Sequence, residues 1–152
     1  FSHRQLLRRG AQARLRDGPE ELRNPAPEDG YVVSPTGRRR AIPDLRSPNF
    51  QLRSAAERMA INFPIQSLAA DIIKIAMVRL QHELEEGRLG GKMILQVHDE
   101  LVFEIPEAES DAFAELVPRV MVTAYELQGG LEVEAKVGSN WDEVRNVAAL
   151  RA

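Results

Sequence analysis

Met93-Ile94-Leu95-Gln96-Val97-His98-Asp99-Glu100-Leu101-Val102-Phe103-Glu104 reads as two short strands joined by a tight turn. Successive strand side chains point to opposite faces, so Met93, Leu95 and Val97 share one face and Ile94, Gln96 and His98 the other. Beyond the tip, Leu101 and Phe103 alternate with Val102 and Glu104, and the sheet resumes. Hairpin tips usually carry Asn-Gly or Asp-Gly, whose backbone tolerates the turn. This one carries an imidazole and two carboxylates. An acidic tip held by two strands suits a hard divalent cation, because Mg²⁺ takes carboxylate oxygens together with substrate phosphates. A solvated turn would have the same composition, and the pattern leaves both readings open.

Helical periodicity flanks this hairpin on both sides. Upstream, Ala55, Ala56, Met59 and Ala60 mark a short helix, and Asn62-Phe63-Pro64 should interrupt it. Pro64 can open a second helix at its first turn. Ile65, Leu68, Ile72, Ala76 and Leu80 continue that helix to about Leu84, before Gly87 and Gly90-Gly91. Asn62 and Gln66 lie four apart on one face, and each can both donate and accept hydrogen bonds. Downstream, a helix is expected over Ala108 to Leu127, with Phe113, Leu116, Val117 and Met121 inward and Pro118 kinking or splitting it. Leu131, Val133, Ala135 and Val137 then alternate with Glu132, Glu134 and Lys136 as a half-buried strand. Gly138-Ser139-Asn140-Trp141 closes the domain, and residues 146–152 read as a helix end or a tail.

Tyr31 to Leu45 looks like a second hairpin, turning at Pro35-Thr36-Gly37 and returning through Arg38-Arg39-Arg40. Strand alternation puts Arg38 and Arg40 on one face and Arg39 on the other. Guanidinium forks match phosphate oxygens, so these residues suit a phosphate grip as well as a solvated loop. Residues 1–30 are rich in Arg, Pro and Gly and lack apolar periodicity. A short basic helix near 3–16, a disordered basic arm and a stretch read out of frame all fit that composition.

The composition is that of a globular chain, 152 residues with 43% hydrophobic and 28% charged residues, sized for one domain or part of a larger protein. The absence of cysteine excludes disulfides and thiolate metal sites. No continuous apolar run approaches the roughly 20 residues that span a bilayer, so no membrane partner is expected. The net charge of −3 conceals an asymmetry: residues 1–53 carry 11 Arg against 6 acids, and the remainder 9 Lys and Arg against 17 acids. A basic front half suits a polyanion.

Taken in order, these residues resemble the bacterial DNA polymerase I, or family A, DNA polymerases. The resemblance covers Tyr31 to Val144 and rests on five signatures. They are Gly37-Arg38-Arg39-Arg40 with Ile42-Pro43-Asp44-Leu45; Glu57-Arg58-Met59-Ala60-Ile61-Asn62; Pro64-x-Gln66 with Ala69-Ala70-Asp71; Gln96-Val97-His98-Asp99-Glu100-Leu101; and Gly138-x-x-Trp141. The resemblance implies an α+β fold, the C-terminal part of a polymerase palm, with an antiparallel sheet of central hairpin and later strand packed against long amphipathic helices. It implies a DNA-directed DNA polymerase working in replication and repair through a two-ion Mg²⁺ mechanism, in a bacterial cytoplasm on the nucleoid. Asp99 would be a metal carboxylate and Glu100 an auxiliary acid. His98 would lie at the primer terminus. Gln66, Asn62, Arg58, Arg38, Arg39 and Arg40 would contact the primer–template DNA or order groups that do.

The departures are specific. Ser67-Leu68 stands where the family has Gly and then Ser or Thr, and residues 1–30 do not follow the family's preceding segment. The family's first catalytic aspartate and its fingers helix, which binds the deoxynucleoside triphosphate, would lie on missing upstream segments. The chain alone is therefore expected to be inactive. The alternatives are a non-catalytic DNA-binding remnant and an unrelated metal hydrolase built on His98 and Asp99. The hydrolase lacks ligands at metal-binding spacing, since His3 and His82 are far away in sequence.

Overall fold

The computed structural model describes residues 4–12 (backbone only), 30–87, 89–127 and 129–151. It divides into two compact units, residues 15–71 and residues 1–14 with 72–152.

In the first unit, strands β2 (Tyr31–Val33) and β3 (Arg39–Ala41) form the expected hairpin, with Val32 opposite Arg40 and Val33 opposite Arg39. A 3₁₀ turn, Pro43–Arg46, leads to helix α1, Phe50–Glu85, whose Phe50–Asp71 portion belongs to this unit. Asn49 starts the helix, its Oδ1 accepting from the Gln51 and Leu52 amides. The hairpin and the helix close one small core: Val32, Ile42, Leu45, Ala56, Ala60 and Phe63.

The break expected at Asn62-Phe63-Pro64 does not occur, and α1 runs through Pro64 without interruption. An internal proline costs about 3 kcal/mol. Fully burying a large apolar side chain returns about 1.5–3 kcal/mol, and Phe63, Leu68 and Ile72 are all buried around this point. Continuity of the helix places all three inward, which outweighs the lost hydrogen bond. By length and composition α1 is also apolar enough to cross a membrane, with mean hydropathy 1.3 over 18 residues and 39% of that window buried. Asn62, Gln66, Asp71 and Lys74 punctuate it, which is why no continuous apolar run marks it in the sequence.

The second unit contains strands β1 (Arg4–Gln12), β4 (Lys92–Val97), β5 (Glu100–Pro106), β6 (Glu132–Gly138) and β7 (Val144–Arg151). They form one five-stranded antiparallel sheet in the order β4-β5-β1-β6-β7. β6 follows the expected alternation, with Val133 and Ala135 fully buried. β5 is buried more completely than alternation implies, because Val102 joins Leu101 and Phe103 at 0% exposure. It is an interior strand of the sheet, paired by β4 on one edge and by β1 on the other.

Two strands depart from expectation. Residues 4–12 form a strand where a basic helix or a disordered arm was expected, and they satisfy the facing edges of β5 and β6 at once. Residues 1–3 and 13–29, the rest of the expected arm, lie outside the described residues. Residues 144–151 pair with β6, although residues 146–152 were expected as a helix end or tail. The turn into β7 needs Gly138, since a Cβ there would sit 2.0 Å from the Glu143 carbonyl oxygen.

Helix α2, Ser110–Val122, buries Phe113, Leu116, Val117 and Met121. The Phe113 ring lies 6.2 Å from that of Phe103 at 54°, within the preferred tilted geometry. Pro118 neither splits the helix nor points out of it, being buried inside one continuous element. α2 ends at Val122, short of the expected Leu127. Thr123 stops it by turning its hydroxyl back to the Arg119 and Val120 carbonyls, while Arg79 of α1 donates to the Thr123 carbonyl at 2.6 Å. Terminal carbonyls satisfied in this way need no further helical turn.

Candidate functional site

The β4–β5 hairpin forms as expected, with Val97 opposite Glu100 and His98-Asp99 as a two-residue turn. His98 has φ +53°, a left-handed conformation that costs most residues about 1–2 kcal/mol. A turn of this kind with the positive φ at its first central residue usually has Gly there. Gln96 holds the conformation by donating its side-chain amide to the His98 carbonyl at 2.5 Å. Gln96 thus has a supporting role at the tip that strand alternation does not reveal. His98 and Asp99 are exposed and Glu100 is half-buried at the start of β5.

β4 differs in detail from the alternation expected of it. Met93 pairs with Phe103 but Leu95 pairs with Val102, so Ile94 is a bulge residue. Bulges bend and twist the strand that carries them. Ile94, Leu95 and Val97 remain well exposed. A groove of about 510 Å³ lies between Met93 and the α1 residues Met77, Val78, Gln81, His82 and Glu85. It contains none of the tip residues, and His82 pairs with Glu86 at 3.4 Å.

Among the described residues no group of three His, Asp or Glu is placed to hold a metal ion. The strand beside the tip is β1, whose Gly10 is opposite Glu100 and whose Arg9 is opposite Leu101. Residues 4–12 contain no carboxylate. Asp99 suits the role of one hard-cation ligand, but the described residues do not by themselves fit a two-ion site.

In the other unit, Arg58, Asn62 and Gln66 are exposed and recur at every fourth residue of α1. At 3.6 residues per turn they form one stripe, nearly opposite the buried Ala56, Ala60, Phe63 and Ser67. Ser67 points inward, so the change from the family's Gly does not fall beside Gln66. Its hydroxyl is buried with no hydrogen-bond partner. Arg58 is tethered at 2.8 Å to the Ser54 hydroxyl one turn earlier.

The three arginines divide between the hairpin faces as alternation requires. Arg39 stacks over Tyr31 at 5.3 Å from the ring centroid, and Arg40 over Phe63 at 5.7 Å. Exposed stacking of this kind is worth about 0.5–1 kcal/mol and leaves the guanidinium edges open to solvent. Arg38 is occupied differently. Its Nη2 donates to Asp71 Oδ1 and its Nε to Oδ2 at 3.4 Å. The hydrogen bond to Asp71, and then its charge, raise the pKa of Arg38 further above its ordinary value. Thr36 donates to the same carboxylate at 2.5 Å and shares a 2.8 Å hydrogen bond with Ser34. These partners are 33 and 35 residues from Asp71, so neither periodicity nor local spacing reveals the network.

A sequence profile of DNA polymerase family A matches residues 13–143, beginning upstream of the Tyr31 at which the motifs start. DNA polymerase I of Bacillus caldotenax is 47% identical over 126 residues, 83% of this chain and 14% of that protein. The Mycobacterium bovis DNA polymerase I is 50% identical over 117 residues, 77% of this chain and 13% of that protein. The thermostable DNA polymerase I of Thermus aquaticus is 50% identical over 112 residues, 74% of this chain and 13% of that protein. Among solved structures, the POL domain of Pol1 from M. smegmatis, in complex with DNA primer-template and dNTP, superposes with a TM-score of 0.73 at 47% identity. That likeness covers 77% of this chain and 21% of that domain. The chain therefore spans about one seventh of the curated relatives it matches, and at that identity and coverage it belongs to DNA polymerase family A.

Proposed function

We propose that this chain is the duplex-gripping palm portion of a DNA-directed DNA polymerase and supplies one carboxylate, Asp99, to template-directed nucleotidyl transfer. The observation that carries this reading is the exposed His98-Asp99-Glu100 tip, displayed on rigid paired strands in a chain with family A identity along most of its length. The partners are primer–template DNA and, in the longer polypeptide, a deoxynucleoside triphosphate, the two components of the M. smegmatis complex. The setting is the bacterial cytoplasm, on chromosomal DNA.

Arg39 and Arg40 present fork-shaped donors to backbone phosphates, giving affinity that is independent of sequence and sensitive to salt. Gln66 and Asn62 present amides able to meet the minor-groove acceptors common to all base pairs, so they check pair geometry without reading sequence. Arg58 shares their stripe. His98 stands at the primer end, held by its own backbone conformation and by Gln96. Mg²⁺, when bound, would neutralise phosphate charge in the transfer. Asp99 would be one of its ligands and Glu100 a nearby acid, with the remaining ligands coming from upstream segments of the polymerase.

The test is a chimera in which Tyr31–Val144 replaces the corresponding segment of the B. caldotenax DNA polymerase I. Primer extension by the chimera, lost on Asp99→Ala, is expected. A folded chimera that binds duplex but never extends a primer would instead support the non-catalytic DNA-binding reading, which the carboxylate-free β1 beside the tip favours. By itself, the 152-residue chain should not extend a primer. Mg²⁺-dependent incorporation by it, abolished by Asp99→Ala, would overturn that expectation.

A further inference from the structure

We infer that Asp71 is a positioning residue for duplex binding, a buried carboxylate that clamps the Ser34–Arg38 turn and thereby aims Arg39 and Arg40, and that Arg38 is part of this clamp rather than a phosphate contact. This rests on the phosphate-grip reading of Arg39 and Arg40 given above.

The geometry of the clamp is closed on every side. The Asp71 side chain is 10% exposed, and a carboxylate at that depth persists only with charge-assisted partners. Both its oxygens are used by the turn: Oδ1 accepts from Arg38, and Oδ2 accepts from Arg38 and from Thr36. Ser34 completes the ring from the other side, its hydroxyl bonding Thr36 at 2.8 Å and accepting the Arg38 amide at 3.0 Å. The backbone repeats the closure, since the Ser34 amide donates to the Arg38 carbonyl and the Gly37 amide to the Ser34 carbonyl, both at 2.8 Å.

The chain leaves this turn directly into β3. Arg39 and Arg40 are the next two residues, and their pairing with Val33 and Val32 is fixed by where the turn ends. A one-residue slip in a hairpin exchanges the two faces. It would take Arg40 off Phe63 and Arg39 off Tyr31, and both guanidinium groups would lose the directions in which they now project. Arg38 meanwhile spends a bidentate fork on Asp71, the same geometry a phosphate would need.

The sign of the effect separates this role from simple electrostatics. Asp71→Asn removes a negative charge, so an unspecific field effect would tighten binding to a polyanion. A clamp predicts the reverse. For the full chain and a 20-base-pair primer–template duplex, fluorescence anisotropy across a salt series should show Asp71→Asn binding about 3–10-fold more weakly at low salt. Its log–log salt slope should be shallower by about one phosphate contact or more, at about 0.9 per contact. Thr36→Val, which changes no charge, should weaken binding in the same direction but less. Arg38→Gln combined with Asp71→Asn should be no worse than Asp71→Asn alone.

Amide hydrogen exchange is the independent readout. Exchange at Gly37 and Arg38 should accelerate in Asp71→Asn and in Thr36→Val, while amides around Ala60 and Leu68 in α1 keep their protection. If Asp71→Asn loosens α1 as well, Thr36→Val decides alone. Tighter duplex binding by Asp71→Asn, or unchanged exchange in the turn, overturns the clamp. Unmodified chain that does not bind duplex in a salt-dependent way would overturn the grip reading instead, and turn exchange would still decide whether Asp71 orders the turn.

Discussion

Replacing His98 by glycine should make the protein more stable while weakening what the tip does. His98 holds φ +53°. A left-handed conformation costs a residue with a Cβ about 1–2 kcal/mol, nearer the lower figure for His. Glycine adopts it freely, but its more flexible unfolded chain costs about 0.5–1 kcal/mol. The imidazole is exposed, so its removal forfeits little packing, and the bond from Gln96 goes to the backbone carbonyl and survives the change. The net gain is up to about 0.5 kcal/mol, or up to about 2 °C in melting temperature for a chain of this size. Urea unfolding followed by the fluorescence of Trp141, the single tryptophan, reports the unit that contains the tip. Asp99→Gly is the matched control, because Asp99 has no positive φ to relieve, and it should lose about 0.5–1 kcal/mol. Opposite signs at adjacent positions are the expected result. His98→Gly losing as much stability as Asp99→Gly would show that the turn carries no strain. Gain of stability with loss of primer binding would mark the strain as kept for function.

Other consequences follow from the packing. Ser67→Ala should stabilise the 15–71 unit by about 1 kcal/mol, read as slower amide exchange in α1, since it removes a buried hydroxyl without a partner and inserts a better helix former. Gly91→Ala should cost about 1–3 kcal/mol, because its Cβ would meet Phe113 Cζ at 2.3 Å and Ile105 Cγ2 at 2.9 Å, and both side chains are fully buried. Adding Phe113→Leu should recover part of that loss in the same urea titration.

What could be read in the sequence was whatever is local. The β4–β5 hairpin, the alternation of β6 and the division of the arginines between two faces all follow from the period of two. What could not be read depends on distant partners. Pro64 predicts a break, and only the burial of Phe63, Leu68 and Ile72 explains why the helix continues. β1 and β7 carry weak patterns of their own and are strands because β5 and β6 offer unpaired edges. The bulge at Ile94 leaves no mark in composition. Asp71 stands inside a recognised motif, but its pairing with Arg38 and Thr36 spans more than 30 residues and leaves no mark in the periodicity. Gln96 stood inside a recognised motif, and only the geometry of the turn gives it a task.

The duplex grip is best tested by measuring how binding of a primer–template duplex depends on salt, for the unmodified chain and for Arg39→Ala with Arg40→Ala. The logarithm of the binding constant should fall linearly with the logarithm of salt concentration, and the double variant should lose about 1.8 from that slope, two contacts at about 0.9 each. An identical slope in both proteins would contradict the assignment of these arginines to the phosphate backbone.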